Sequence, residues 1–596
     1  MVCRILKPRQ SDYDHHAVWY FYSSALLLAG AISVAITGGF RTEIAHVKIS
    51  VQWPTDLCLA AWILFVLGSR RSPVPPPFER ALAAIRQYSE RHATALAVAI
   101  ATCAIAAGLG FGVLVAAGAD PYGYVSQSLL WARGNPVQFQ TSLAMQSPWP
   151  NAEWSFCPLG YKPSFVRGII VPTYSSGLPL QMAMFARLFG IDGAFIVVPL
   201  LGGLAVWATY LLGLRVSQSK DCALLSAALT ACSPVFLFQL MQPLSDVPVT
   251  AWWLASIVAA LEGSYVGALG SGLCASLAVL TRPNLVFLAL PVAAYAVSND
   301  EPSRRSRISR LAFFALALVP GIALTAAANS TFYGAPSMSG YGSLSEIYAL
   351  RNIFENLARY PKWLYTTHSP LVFIGLGSAV AAWAVHGLGN RQRHRLILHG
   401  TLAAAFAVTL FASYVFYIPF DHWTYLRFLL PAIPILLVLG VATVDSVAGA
   451  ISARMRRLAL GFIVVVIPLY YLSFAVHGDA FALKRLFHDR YVTAAGQIAE
   501  RTSAAAVVVG LLQSGSLKLY ANRTTIRYDL IPPEWFDRAV MFLDSAGRPT
   551  YLALESTEQI DFAGRFNTFS TADDDLQPAA VEPLRLVSLY GPLHPK

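Results

Sequence analysis

Runs of about twenty apolar residues recur along the chain as far as Val476, and that is the length an α-helix needs to cross a bilayer. With 56% hydrophobic and only 13% charged residues, the chain reads as a polytopic α-helical membrane protein. The formal charge of +11 would point to nucleic acid in a soluble chain. Here the basic residues gather in short loops between apolar runs, as the positive-inside rule requires, so the charge reports topology and no nucleic-acid partner is implied.

The runs fall at 17–37, 49–67, 93–117, 194–214, 223–241, 249–261, 266–280, 285–297, 311–329, 370–385, 396–417, 428–444 and 458–476, about thirteen spans by length and polarity. Arg4, Lys7 and Arg9 precede the first, which sets the N-terminus in the cytoplasm. That run is long and has no small-residue cleavage site, so it reads as an anchor. The basic turns 70–91, 304–310, 391–395 and 454–457 alternate correctly with it. Three regions result: 1–92, two spans and a basic cytoplasmic loop; 93–476, the main membrane region with a large external loop at 120–192; and 477–596, an external tail.

Past His477 the pattern changes. Residues 490–501 and 532–546 read as helices, and 505–511, 525–528 and 550–554 as short strands, a small C-terminal α/β extramembrane domain of roughly 110 residues. The seven cysteines show no metal spacing and mostly lie within apolar runs, Cys157 excepted. Neither a zinc site nor a disulfide framework is expected.

Asp120 follows the third run directly, and Asp246 follows the fifth on the same external face. A carboxylate at a membrane mouth is costly, so each either serves function or simply ends a helix. Behind Asp120, Tyr124, Gln127/Ser128 and Trp131 suggest a short amphipathic helix lying on the membrane. Residues 178–189 are apolar but too short to cross. Arg282 and Arg427 sit just under the outer headgroups; each can hold a lipid phosphate in bidentate fashion or snorkel to the surface. His368 and His422 read as ordinary loop histidines. Gln513-Ser514-Gly515-Ser516 could receive an anion, although a structural turn is the simpler reading. The external Trp and Tyr side chains suit stacking on sugars, as they suit any membrane interface.

Several motifs in order resemble the GT-C glycosyltransferases, the superfamily of protein O-mannosyltransferases and bacterial lipid A aminoarabinose transferases. They are Asp120-Pro121-Tyr122-Gly123-Tyr124, Tyr174-Ser175-Ser176-Gly177-Leu178-Pro179-Leu180, Ser245-Asp246-Val247-Pro248, Leu280-Thr281-Arg282-Pro283 and Tyr425-Leu426-Arg427-Phe428-Leu429-Leu430-Pro431. The tail segment from Gln513 to Asp529 also resembles the extramembrane domain of bacterial relatives. Two spans precede the one leading to Asp120, where the simplest relatives have none. Asp120-Pro121 lacks the acidic pair of some members, so no metal is implied.

The resemblance implies a GT-C fold and a transferase in a bacterial inner membrane with its tail in the periplasm. Such an enzyme would move a single sugar from a polyprenyl-phosphate donor to an acceptor hydroxyl on a lipid, glycan or protein, inverting the anomeric centre without a cofactor. Asp120 would be the general base, Arg282 and Arg427 would bind the donor phosphate, and Tyr122, Tyr124, Lys162, Tyr174, Asp246 and Tyr425 would bind substrate; Asp246 binds hydroxyls or braces the first loop. The competing readings are a glycolipid transporter or flippase and an assembly scaffold acting through the tail. Unpaired acids on one face, large external loops and the absence of a repeat weigh against transport.

Overall fold

A computed structural model describes residues 15–37, 40–44, 47–51, 54–71, 76–298, 303–342, 344–385, 387–566 and 587–593. The chain is mainly helical. Among the described residues six helices are long and apolar enough to cross a membrane, seven if Lys220–Cys232 and Pro234–Leu240, bent by 57°, form one span. Val18–Val34, Asp56–Gly68, Asp246–Ala260, Tyr265–Thr281 and Pro283–Val297 are apolar but shorter. Where one span was expected at 370–385, two short helices, Leu371–Leu376 and Ser378–Ala384, stand end to end. Gly375 lies there against the backbone of Leu436.

The third helix, Pro76–Phe111, ends earlier than its apolar run. Residues 113–117 are non-helical and are held from two sides: Val113 N donates to Met241 O at 2.7 Å and Ala116 N to the Tyr520 hydroxyl at 2.8 Å. Asp120 therefore opens a new helix, Asp120–Ala132, with Pro121 in its first turn. Pro has no N–H to lose at that position. The expectation that this helix lies on the membrane is corrected: Pro121 to Val125, Gln127 and Ser128 are buried. Its polar positions meet protein; Tyr161, for example, bonds both Ser126 and Gln127.

The external loop carries a three-stranded antiparallel sheet in the order Gln138–Phe139, Ile169–Pro172, Tyr161–Pro163, followed by the helix Gly177–Phe189. The later part of the chain forms a four-stranded sheet in the order Thr524–Ile526, Val507–Val509, Thr550–Glu555, Val587–Tyr590. The first three strands are parallel and the last antiparallel. Loop and sheet share one core: Leu143, Trp149 and Phe156 pack with Val507, Ile526, Tyr528 and Phe536. Arg527 N donates to Ser155 O at 2.7 Å, and Ser514 Oγ accepts from Leu159 N at 3.1 Å.

Gly177 fixes the loop against the membrane helices. A Cβ there would lie 2.4 Å from Thr281 N and 2.5 Å from the Leu280 carbonyl carbon, and backbone cannot give way as a flexible side chain can. Gly177→Ala should therefore destabilise the protein by about 1–3 kcal/mol, the usual range for overpacking, read as a lowered midpoint of thermal unfolding in detergent; an unchanged midpoint would show that the approach is not tight.

Candidate active site

Four charged residues, far apart in sequence, meet, and each has a proline within four residues on its C-terminal side. Pro121 follows Asp120 directly, Pro248 stands two residues after Asp246, Pro283 follows Arg282, and Pro431 stands four residues after Arg427. A residue before proline is pushed out of the helical region, and Arg282 has φ −140° and ψ 89° between the helix Tyr265–Thr281 and the 3₁₀ turn Pro283–Leu288. Arg427 lies in a ten-residue 3₁₀ stretch, Trp423–Ala432, that opens the helix Ile433–Ile451. Asp120 and Asp246 both occupy first turns, where the helix dipole favours negative charge.

Arg427 Nη2 lies 3.1 Å from Asp120 Oδ2, and its Nη1 lies 4.0 Å from Asp246 Oδ2. Arg282 Nη2 lies 2.6 Å from Asp246 Oδ1. The guanidinium of Arg282 also donates to Ser245 Oγ at 2.9 Å and to the Tyr414 hydroxyl at 3.2 Å. Tyr124 donates to Ser245 at 3.0 Å, and Asn284 Nδ2 to Tyr414 at 3.0 Å. The ring of Phe428 lies between the two guanidiniums, 5.6 Å from Arg282 and 5.2 Å from Arg427, within cation–π range.

The two carboxylates differ in access. Asp246 is 1% exposed, whereas the Asp120 side chain is 29% exposed, so only Asp120 is open to a reacting molecule. Its other oxygen accepts from the Tyr174 hydroxyl at 2.7 Å. Burial, and after it the Asp120 charge, hold the Tyr174 phenol well above its ordinary value; it stays protonated and keeps donating at neutral pH. Within this buried cluster, Arg427 Nε and Asp246 Oδ2 have no hydrogen-bond partner among the described residues. An unmatched buried donor on a guanidinium whose other nitrogens already face carboxylates suits an incoming anionic oxygen.

The sequence-derived residues divide. Asp120, Asp246, Arg282, Arg427, Tyr124 and Tyr174 converge. Tyr425 flanks the group, stacked on Phe420 at 3.7 Å with its ring 5.4 Å from the Arg427 guanidinium. Lys162 bonds Ser339 O at 3.2 Å and lies 4.8 Å from the Tyr333 ring. Tyr122 is buried between Tyr161 and Gly515, where a Cβ would meet the Tyr122 ring at 2.5 Å. It contributes packing to the tail and makes no contact with the charged cluster.

His368 is no loop residue: it is fully buried at the end of the helix Ile353–His368, with its ring nitrogens 2.7 Å from Ser233 Oγ and Thr367 Oγ1. The Gln513–Ser516 turn is structural. The neighbouring Leu511 and Leu512 N–H groups already receive the Glu558 carboxylate, at 3.1 and 2.8 Å. Sequence reasoning missed Tyr414 and Tyr341, whose ring meets Tyr174 edge-on at 5.9 Å. Tyr414 ends an apolar run and carries no local signal, while Ser245, Asn284 and Phe428 sit beside the charged residues already singled out.

The apolar helices support an integral membrane protein, and the fold is similar to that of GT-C proteins. Residues 177–326 match the family described as Dolichyl-phosphate-mannose-protein mannosyltransferase, a segment that holds Asp246 and Arg282. The structure is similar to ArnT from Cupriavidus metallidurans bound to undecaprenyl phosphate, with a TM-score of 0.53 and 15% identity, covering 84% of this chain and 99% of that one. The apo state of the same protein gives 0.51 and 14%, covering 84% and 97%. AglB, an oligosaccharyltransferase from Archaeoglobus fulgidus, gives 0.48 and 12%, covering 79% and 71%. No curated protein matches the sequence. The family match and the fold together support a GT-C superfamily membrane glycosyltransferase.

Asp246 and Arg282 form a nearly dry pair, and removing one partner of such a pair costs about 3–5 kcal/mol while replacing both with apolar residues costs far less. Arg282→Met should lower the unfolding midpoint strongly, and adding Asp246→Leu should restore part of the loss; a double variant no better than the single would show that the pair is not what the fold depends on there.

Proposed function

We propose that this protein transfers a single sugar from a polyprenyl-phosphate donor to an acceptor hydroxyl at the outer face of the membrane, with inversion. The observation carrying the proposal is the partly accessible Asp120 carboxylate paired with Arg427, whose buried Nε has no hydrogen-bond partner among the described residues. The comparison with ArnT bound to undecaprenyl phosphate supports a lipid phosphate as ligand class. The wider reading has about thirteen crossings, the N-terminus in the cytoplasm, the Val507–Tyr590 sheet as an extramembrane α/β domain in the periplasm, and a bacterial inner membrane as location.

The acceptor oxygen bonds to the anomeric carbon as the bond from that carbon to the phosphate oxygen breaks, and the acceptor proton passes to Asp120. The donor phosphodiester becomes a monoester and gains a charge as Asp120 loses one. Arg427, held between Asp120 and Asp246, then faces one carboxylate fewer and one phosphate charge more. Its attraction shifts from protein to product without large movement, so the stabilisation grows as the bond breaks. Tyr174 orients Asp120. Arg282 neutralises Asp246 and fixes Ser245 and Tyr414, which makes it a brace for the site and a second cation for the phosphate. A transporter reading would place substrate groups near the bilayer midplane, whereas these charges gather at helix ends.

Release of polyprenyl phosphate from polyprenyl-phosphate sugars by purified protein, with envelope extract as acceptor, tests this reading. Asp120→Asn should cut turnover about 10²–10⁴-fold while donor binding persists. Equal turnover in both proteins would remove Asp120 from the chemistry, and donor binding with leaflet exchange but no release in either would favour transport.

A further inference from the structure

Beside the outer end of the Pro76–Phe111 helix lies a cleft of about 430 Å³ lined by Phe111, Phe481, Lys484, Arg485, His488 and Asp489. Phe111 and Phe481 form its apolar floor, edge to face at 5.3 Å. Exposed Leu109, Phe111, Val476 and Leu486 flank it, at the ends of the helices Pro76–Phe111 and Ala453–His477 and at the turn just beyond them. On the topology proposed above, these side chains meet acyl chains. Lys484 and Arg485 line the same cleft.

These cations need a reason. On the topology proposed above they lie on the outer side within ten residues of a span end, where Lys and Arg are depleted. Lys484 Nζ donates to Gly110 O at 2.9 Å, which caps the helix but uses one of three donors. Arg485 has a side chain 92% exposed and lies 3.7 Å from Asp489, an exposed i,i+4 pair of small worth. Lys484, Arg485 and His488 thus have a single carboxylate among them, Asp489, which lies 3.7 Å from Arg485 and 3.8 Å from His488, in an open cleft that Phe111 and Phe481 also line.

We infer that this cleft binds an anionic glycerophospholipid of the surrounding leaflet, its phosphate between Lys484 and Arg485 and its chains along Phe111 and Phe481. A zwitterionic headgroup would bring its own ammonium against the same cations. The site is separate from the charged cluster: 112–119 runs from Phe111 to Asp120 beneath Tyr520, with Gly118 close to the Tyr491 hydroxyl. A lipid seated here holds the base of the tail where that segment starts. The inference rests on the membrane topology of the proposed function and needs none of its transferase chemistry.

The test is native mass spectrometry of the full chain released from micelles doped with phosphatidylglycerol or phosphatidylcholine. Wild type should retain phosphatidylglycerol preferentially, and Lys484→Gln/Arg485→Gln should lose that preference by about thirty-fold, as expected for two cations at a membrane surface. Arg485→Gln alone alters only an exposed side chain and should lose about five-fold at an unchanged unfolding midpoint, which keeps the test valid if the double variant fails to fold. Equal retention of both lipids, retention unchanged in the variants, or displacement of the lipid by millimolar inorganic phosphate would overturn the inference. Failure of the wild type to release polyprenyl phosphate while it retains phosphatidylglycerol would instead count against the proposed function alone.

Discussion

Two carboxylates and two guanidiniums that exclude most water from one another are the constraint around which this structure is organised. Asp246 is 1% exposed, and a charge so buried must be paired on the spot. That requirement brings together four helix ends separated by as much as 307 residues in sequence. Arg282 reaches the cluster from the non-helical residue before Pro283, Asp120 and Asp246 from helix first turns, and Arg427 from the 3₁₀ stretch that leads into Ile433–Ile451.

Asp120 is held to this cluster by a second system, the shared core of the external loop and the later sheet. Trp149 and Phe156 contribute to the same core as Val507 and Phe536, while Tyr520 and Gly515 press on 116 and Tyr122 from above. The segment that delivers Asp120 is thus clamped between membrane helices on one side, through Val113 and Met241, and the tail on the other. This explains why an amphipathic-looking helix is buried. Its polar face answers to protein hydroxyls, and its small residues, Gly123 above all, let Tyr174 approach to the distance needed for its bond to Asp120.

Much of this was legible in the sequence because lipid leaves few options. Apolar runs located most of the helices, though not their bounds or breaks, as at 93–117, 223–241 and 370–385, and ionisable residues at their ends were conspicuous by their cost, so Asp120, Asp246, Arg282 and Arg427 stood out individually. The β-branched run 505–511 and the segment 550–554 located the strands at 507–509 and 550–555. Pairing was not legible. Nothing local in Arg427 says that it meets Asp120, and nothing in Tyr414 separates it from other aromatics at an interface. Composition also misled where tertiary contacts overrode it: the apolar run to Ala117 outlasts its helix because 113–117 is pinned by Met241 and Tyr520, and His368 is drawn inward by Ser233 at the 57° bend.

The proposed transfer requires the cluster to receive a lipid phosphate between Asp120 and the guanidiniums. A cryo-electron microscopy map of the full-length protein in a nanodisc loaded with polyprenyl phosphate tests it most directly. The phosphate should lie about 3 Å from Arg427, engaging its Nε, with Asp120 beside it and open to the outer face. A phosphate bound elsewhere, with the Arg427 pair to Asp120 and the Arg282 pair to Asp246 both intact, would contradict it and make the cluster a structural lock.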